Sequence, residues 1–153
     1  MTARWLCIST RANDKITQNE HIWGVAKHFV NTINKVKPGD TLLMYTKQEI
    51  VDREVIPSTI TGIYEVNSDV YSDESHLFDN PLRNQSIEAF PYRIKVKPIK
   101  IFAIPLPFKP LVPKLSFIKN KVVWSGSIRT AMRVMSEEDY QTILDAADKQ
   151  KIN

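Results

Sequence analysis

The chain has 153 residues, 42% of them hydrophobic, and a formal charge of +4, enough for one domain around one packed core. No apolar run approaches the roughly 18 residues of a membrane-crossing helix, and Met1-Thr2-Ala3-Arg4-Trp5 passes straight into a strand-like segment with no leader pattern. A single cytoplasmic domain over residues 1–153, with no membrane partner, is expected. Its lone Cys7 lies in an apolar run, which fits an inert buried thiol in a reducing compartment.

In chain order, Trp5 to Thr10 reads as a strand and Asn13 or Asp14 as the N-cap of a short helix ending near Asn19. His21 to Val25 reads as a loop. Lys37-Pro38-Gly39-Asp40 is a turn, because proline presets φ and glycine accepts φ > 0. Thr41 to Thr46 follows as a buried strand, Ile50 to Pro57 as a charged hairpin, and Ser58 to Asn67 as a strand with a bulge or close approach at Gly62. Asp69 to Phe90 has no steady period and reads as a long loop, a kind of segment that is often functional.

Tyr92 to Phe102 is the clearest strand, with Ile94 and Val96 on one face and Arg93, Lys95 and Lys97 on the other. Pro98 makes its second half an edge or a bend. Leu111, Leu115 and Ile118 suit a short helix within a proline-punctuated connector. Ser136 and Asp139 imitate a capping box, and Tyr140, Ile143, Leu144 and Ala147 form the apolar stripe of a C-terminal helix.

Charge is uneven along the chain. Residues 75–135 carry 11 basic and 2 acidic groups, a net of +9, between near-neutral and acidic flanks. Such a segment attracts polyanions. Arg93, Lys95, Lys97, Arg129 and Arg133 are the candidate phosphate contacts on this ground.

Catalytic patterns are weak. His21, His28 and His76 form no i, i+4 pair and, with one cysteine, make no zinc pattern. Gly24, Gly39, Gly62 and Gly126 form no phosphate loop. Asp40, Asp52, Glu54 and Glu65 lie on or near strands, and a nuclease gathers two such groups around Mg²⁺, but their spacing matches no motif. No catalytic residue, metal or cofactor is expected. Trp5 belongs to the core by its strand position, whereas Trp124 is assigned to neither core nor pocket. Trp23 stands before a glycine in a polar stretch, and two readings stand for it: a wall facing a planar ligand, or a plug at the end of the sheet.

Several segments in order resemble the EVE domain: Arg4-Trp5-Leu6-Cys7-Ile8-Ser9, His21-Ile22-Trp23-Gly24-Val25, Lys37-Pro38-Gly39-Asp40, Gly62-Ile63-Tyr64-Glu65-Val66, Pro91-Tyr92-Arg93-Ile94-Lys95-Val96 and Ser136-Glu137-Glu138-Asp139-Tyr140. The likeness implies an α+β, mostly-β fold of the PUA-like superfamily, a bent β-barrel with a few peripheral helices including a C-terminal one. It implies a relation to the YTH domain, a reader of N6-methyladenine. By the same likeness Trp23 is a cage wall, Gly24 a backbone contact to the base, and Ser9, Thr10 and Asn13 polar groups near the pocket.

YTH domains supply two further tryptophans from the long loop, where this chain offers Phe78 and Phe90. The expected partner is DNA or RNA carrying a modified base. Two other functions stand beside this one: a nuclease or base-modifying enzyme using Asp40, Asp52 or Glu65, and a small-molecule or protein-interaction domain using the same pocket.

Overall fold

The computed structural model describes residues 2–80, 87–124, 128 and 130–152, with 151 and 152 as helical backbone. The strands are β1 (Arg4–Ser9), β2 (Ile22–Val25), β3 (Thr41–Thr46), β4 (Glu49–Val51), β5 (Glu54–Ile56), β6 (Thr59–Val66), β7 (Tyr71–Ser72), β8 (Tyr92–Pro107) and β9 (Met132–Met135). The helices are α1 (Arg11–Glu20), α2 (Val30–Ile33) and α3 (Glu137–Ile152), with 3₁₀ turns at Lys27–Phe29 and Lys109–Lys114. No helix among the described residues is long and apolar enough to cross a membrane.

Seven strands form one sheet in the order β2-β8-β6-β3-β1-β9, with β7 also on β8. Among the described residues only β1 and β3 pair in parallel, from Arg4 opposite Thr41 to Ser9 opposite Thr46. Both strands are nearly continuous apolar runs because both of their faces are covered. Leu6, Ile8, Leu43 and Tyr45 enter the core under α3, while Trp5, Cys7, Leu42 and Met44 enter the core that holds Trp23 and Ile94. The Trp5 indole donates to Asp40 Oδ2 at 3.0 Å, and the Asp40 carboxylate also accepts from the Ala3 and Lys37 amides, each through one oxygen. That carboxylate closes the turn before β3.

Three local expectations change. Thr10, not Asn13 or Asp14, caps α1: its side chain accepts from the Asn13 amide. The helix therefore starts three to four residues earlier, and the Asn13 side chain is left for other work. His21 to Val25 is no loop, because Ile22–Val25 pairs with β8 from Ile22 opposite Lys95 to Val25 opposite Tyr92. β8 runs on past Pro98 to Pro107, and Pro98 sits where the β6 register shifts between Ile63 and Tyr64. A residue without an N–H is tolerated at such an irregularity.

Gly62 is the expected close approach. The register shifts between Ile60 and Gly62, and a Cβ there would lie 2.9 Å from the Lys100 carbonyl oxygen. The capping Ser136 Oγ accepts from the Asp139 amide at 3.1 Å, but the Asp139 carboxylate turns away to Ser116.

Arg93 corrects the largest expectation. Alternation puts it on an outer basic face with Lys95 and Lys97, but only 1% of it is exposed. Its guanidinium lies 3.1 Å from Glu88 and 3.4 Å from Asp73 and donates to the carbonyls of Ser75 and Phe90. A cation so paired is not free to meet phosphate. It ties the segment before β8 to the sheet. Glu88 completes the tie: Oε2 accepts from the Leu77 and Phe78 amides at 2.6 and 3.2 Å, and Oε1 from the Phe90 amide at 2.9 Å.

Replacing Arg93 with Met strands a buried carboxylate, so urea denaturation should show a loss of about 3–5 kcal/mol. Adding Glu88→Gln should recover part of it. Gly62→Ala, measured the same way, should cost about 1–3 kcal/mol because backbone stands where the methyl would go.

Candidate functional site

β1 ends at Ser9, and Thr10 caps α1 directly after it. β2 brings Trp23 and Gly24 to the same end of the sheet. A cavity of about 180 Å³ opens there. Ser9, Thr10, Asn13, Trp23, Gly24, Phe78 and Phe90, the seven residues expected around a pocket, all line it. Ile8, Phe29, Lys47, Thr130 and Ala131 line it as well.

Each wall has a local cause. Trp23 is 4% exposed and belongs to the core, so it is both a structural plug and a cavity wall. Its indole N–H has no hydrogen-bond partner among the described residues. Gly24 lets the loop close: a Cβ would meet Phe78 Cε2 at 2.8 Å and the Phe90 carbonyl oxygen at 3.0 Å. Phe78 and Phe90 meet edge to face, with centroids 5.7 Å apart at 86°, a favoured aromatic geometry. The Arg93 guanidinium lies 5.6 Å from the Phe78 ring centroid, so the buried cation also supports this wall.

The polar lining is mostly committed. Ser9 Oγ donates to the Thr10 carbonyl, and Thr10 Oγ1 accepts from the Asn13 amide. The Asn13 side chain bridges to Asp79, donating to its carbonyl and accepting from its amide at 2.7 Å. Asn13 therefore positions the loop that carries Phe78. The Thr10 hydroxyl proton and the remaining lone pairs of both hydroxyls are left for a ligand.

Among the described lining residues only Lys47 is charged, and none is acidic. Its amide donates to the Ser9 carbonyl, one step beyond the last β1–β3 pair. Only the parallel register brings residues 9 and 47 together, so no local pattern flags Lys47. Thr130 and Ala131 arrive similarly, through the bond from the Ile8 amide to the Ala131 carbonyl.

The described basic candidates Arg93, Lys95, Lys97 and Arg133 are not among the lining residues. Lys95 and Lys97 are exposed, and Lys97 lies across from Glu65 in the β6–β8 register. Arg133 stacks on Phe117, 4.5 Å from the ring centroid. Arg129 lies outside the described residues.

The carboxylates do not converge. Asp40 is engaged by Trp5 and two amides, Asp52 sits at the β4–β5 turn with φ of 50°, and Glu65 is exposed on β6. No group of three His, Cys, Asp or Glu side chains suited to a metal ion occurs among the described residues. Full burial raises the Cys7 thiol well above its usual pKa, the opposite of a reactive thiolate.

Comparison with known proteins agrees with this architecture. A UPF0310 protein of Pyrococcus abyssi is 47% identical over 140 residues, covering 91% of this chain and 95% of the relative. Human THYN1, solved in complex with DNA containing 5-methylcytosine, superposes with a TM-score of 0.60 at 13% identity, over 96% of this chain and 98% of that one. The Mmi1 YTH domain superposes with a TM-score of 0.59 at 12% identity, over 99% of this chain and 78% of that one. The fold is thus the expected PUA-like one, mostly β with a C-terminal helix. The sequence model of the EVE domain matches residues 3–146. With nearly the whole length matched and a relative at this identity, the chain belongs to the EVE domain family.

Proposed function

We propose that this protein binds nucleic acid and takes a single modified base into the cavity beside Trp23. The observation that carries this reading is the convergence of Trp23, Gly24, Phe78, Phe90, Ser9, Thr10 and Asn13 on one recess. At about 180 Å³ the recess is smaller than the roughly 300–1,000 Å³ of pockets that enclose a drug-sized ligand. It suits a flat base with its sugar and phosphate left outside. Human THYN1, with the same fold, is seen on DNA containing 5-methylcytosine, which supports the nucleic-acid class.

The energetics follow from the walls. Extracting a base from a stack costs a few kcal/mol. Aromatic stacking returns about 1–3 kcal/mol per base, and a buried methyl adds about 0.8 kcal/mol. Hydrogen bonds to Ser9 and Thr10, and phosphate contacts from Lys47 and from the exposed Lys95 and Lys97, supply the rest. Binding is the role that the aromatic walls and the free polar groups of this recess favour.

Trp23→Ala would disturb the core as well as the pocket, so Trp23→Phe and Gly24→Ala are the sharper variants. In titrations with methylated and plain oligonucleotides, Gly24→Ala should force Phe78 to move and erase the methyl preference, with at least a tenfold loss for the modified strand. Trp23→Phe should weaken it by less. A wild-type protein that binds both strands equally would end the modified-base reading.

Replacing Lys95 and Lys97 together with Gln should flatten the plot of log affinity against log salt. The slope should fall by about 0.7 for each phosphate of a single strand that these lysines neutralise in the wild type. An unchanged slope would return both lysines to plain surface.

A further inference from the structure

A second cleft, about 440 Å³, adjoins the base cavity, and Lys47 lines both. Its other walls include Tyr45, Gln48, Val122, Val123 and Trp124. Trp124 is half-buried, with its ring 5.5 Å from Phe108 at a 45° tilt, so the core holds one side of the indole. Val122 is 88% exposed and Val123 62%. Apolar groups this exposed beside a tryptophan mark a contact surface.

The surface is held in place. Lys121 Nζ donates to the carbonyls of Val112 and Leu115 at 3.1 and 2.7 Å. Asn120 Oδ1 accepts from the amides of Val122 and Val123. The two valines are therefore presented outward by a pinned turn.

We propose that this cleft is a subsite for the nucleotide adjoining the extracted base, whose own base stacks on Trp124 and rests on Val122 and Val123. The inference rests on reading the first cavity as a base site. One phosphate joins consecutive nucleotides, and the side chain shared by the two recesses is an exposed ammonium. Lys47 is thus placed to meet that linking phosphate. Stacking on an indole tolerates every base, so the subsite adds affinity with little demand on flanking sequence. The occupant is a single strand or a locally opened one, because a paired neighbour keeps its face against the next pair.

The test uses the full chain and calorimetric titration. The probes are 5-methylcytidine, N6-methyladenosine and their deoxy forms, then the tightest of these as dinucleotides flanked on the 5′ or the 3′ side. One flank should bind the wild type about 5- to 150-fold tighter than the nucleoside alone. Trp124→Ala should remove that gain and leave nucleoside affinity unchanged, and Trp124→Phe should restore most of it. Val122→Asp, at a site too exposed to affect folding, should also remove it by placing a carboxylate where the strand passes.

If Val122→Asp and Trp124→Ala bind the dinucleotide like the wild type, or neither flank adds affinity, the subsite is overturned while the base site stands. If the wild type binds no probe, both readings fall together.

Discussion

The cavity exists because of one buried carboxylate. Glu88 takes the amides of Leu77, Phe78 and Phe90 on its two oxygens and the Arg93 guanidinium on one of them. These contacts set the backbone of both phenylalanines that line the cavity with Trp23. A buried charge is expensive unless paired and fully hydrogen-bonded, and here pairing and bonding come from the segments the pocket needs. Water cannot replace them, since the Glu88 side chain is 1% exposed. The end of this segment near β8 is thus fixed by specific bonds rather than by a regular period.

Around this anchor, the requirements of folding and of the pocket coincide at single residues. Gly24 allows Phe78 to approach the sheet and leaves backbone at the cavity surface. Asn13 bridges α1 to Asp79, and Trp23 closes one core while walling the recess. Such double use explains why the pocket is narrow and partly polar, and why large truncations there affect stability and binding together. It also leaves the exposed cations Lys47, Lys95 and Lys97 at the rim or on the outward face of β8, where phosphate contacts would position a strand without reading it.

Periodicity made much of this architecture legible. Strict alternation around Ile94 and Val96, the Pro-Gly turn before Asp40 and the capped stripe of α3 follow local rules that neighbours along the chain decide. The resemblance carried by Ser9, Thr10, Asn13, Trp23 and Gly24 put them near a pocket, and they line one recess. Local rules failed where a partner overrode propensity. Ile22–Val25 has no strand alternation of its own and becomes β2 by pairing with β8. Arg93 alternates with apolar residues as an outer cation would, but the loop folds over it and buries it.

Local pattern and order of segments thus determined the strand-rich class, the C-terminal helix, and the indole and phenyl groups of the site. Tertiary structure alone decided which charges stand beside the recess. Lys47 enters because β1 and β3 run parallel, a register set by two cores that need opposite faces of the same strands. Arg93 leaves because Glu88, five residues earlier, needs a buried counter-charge. A side chain's charge can be read from one residue, but its freedom depends on what the folded chain brings against it.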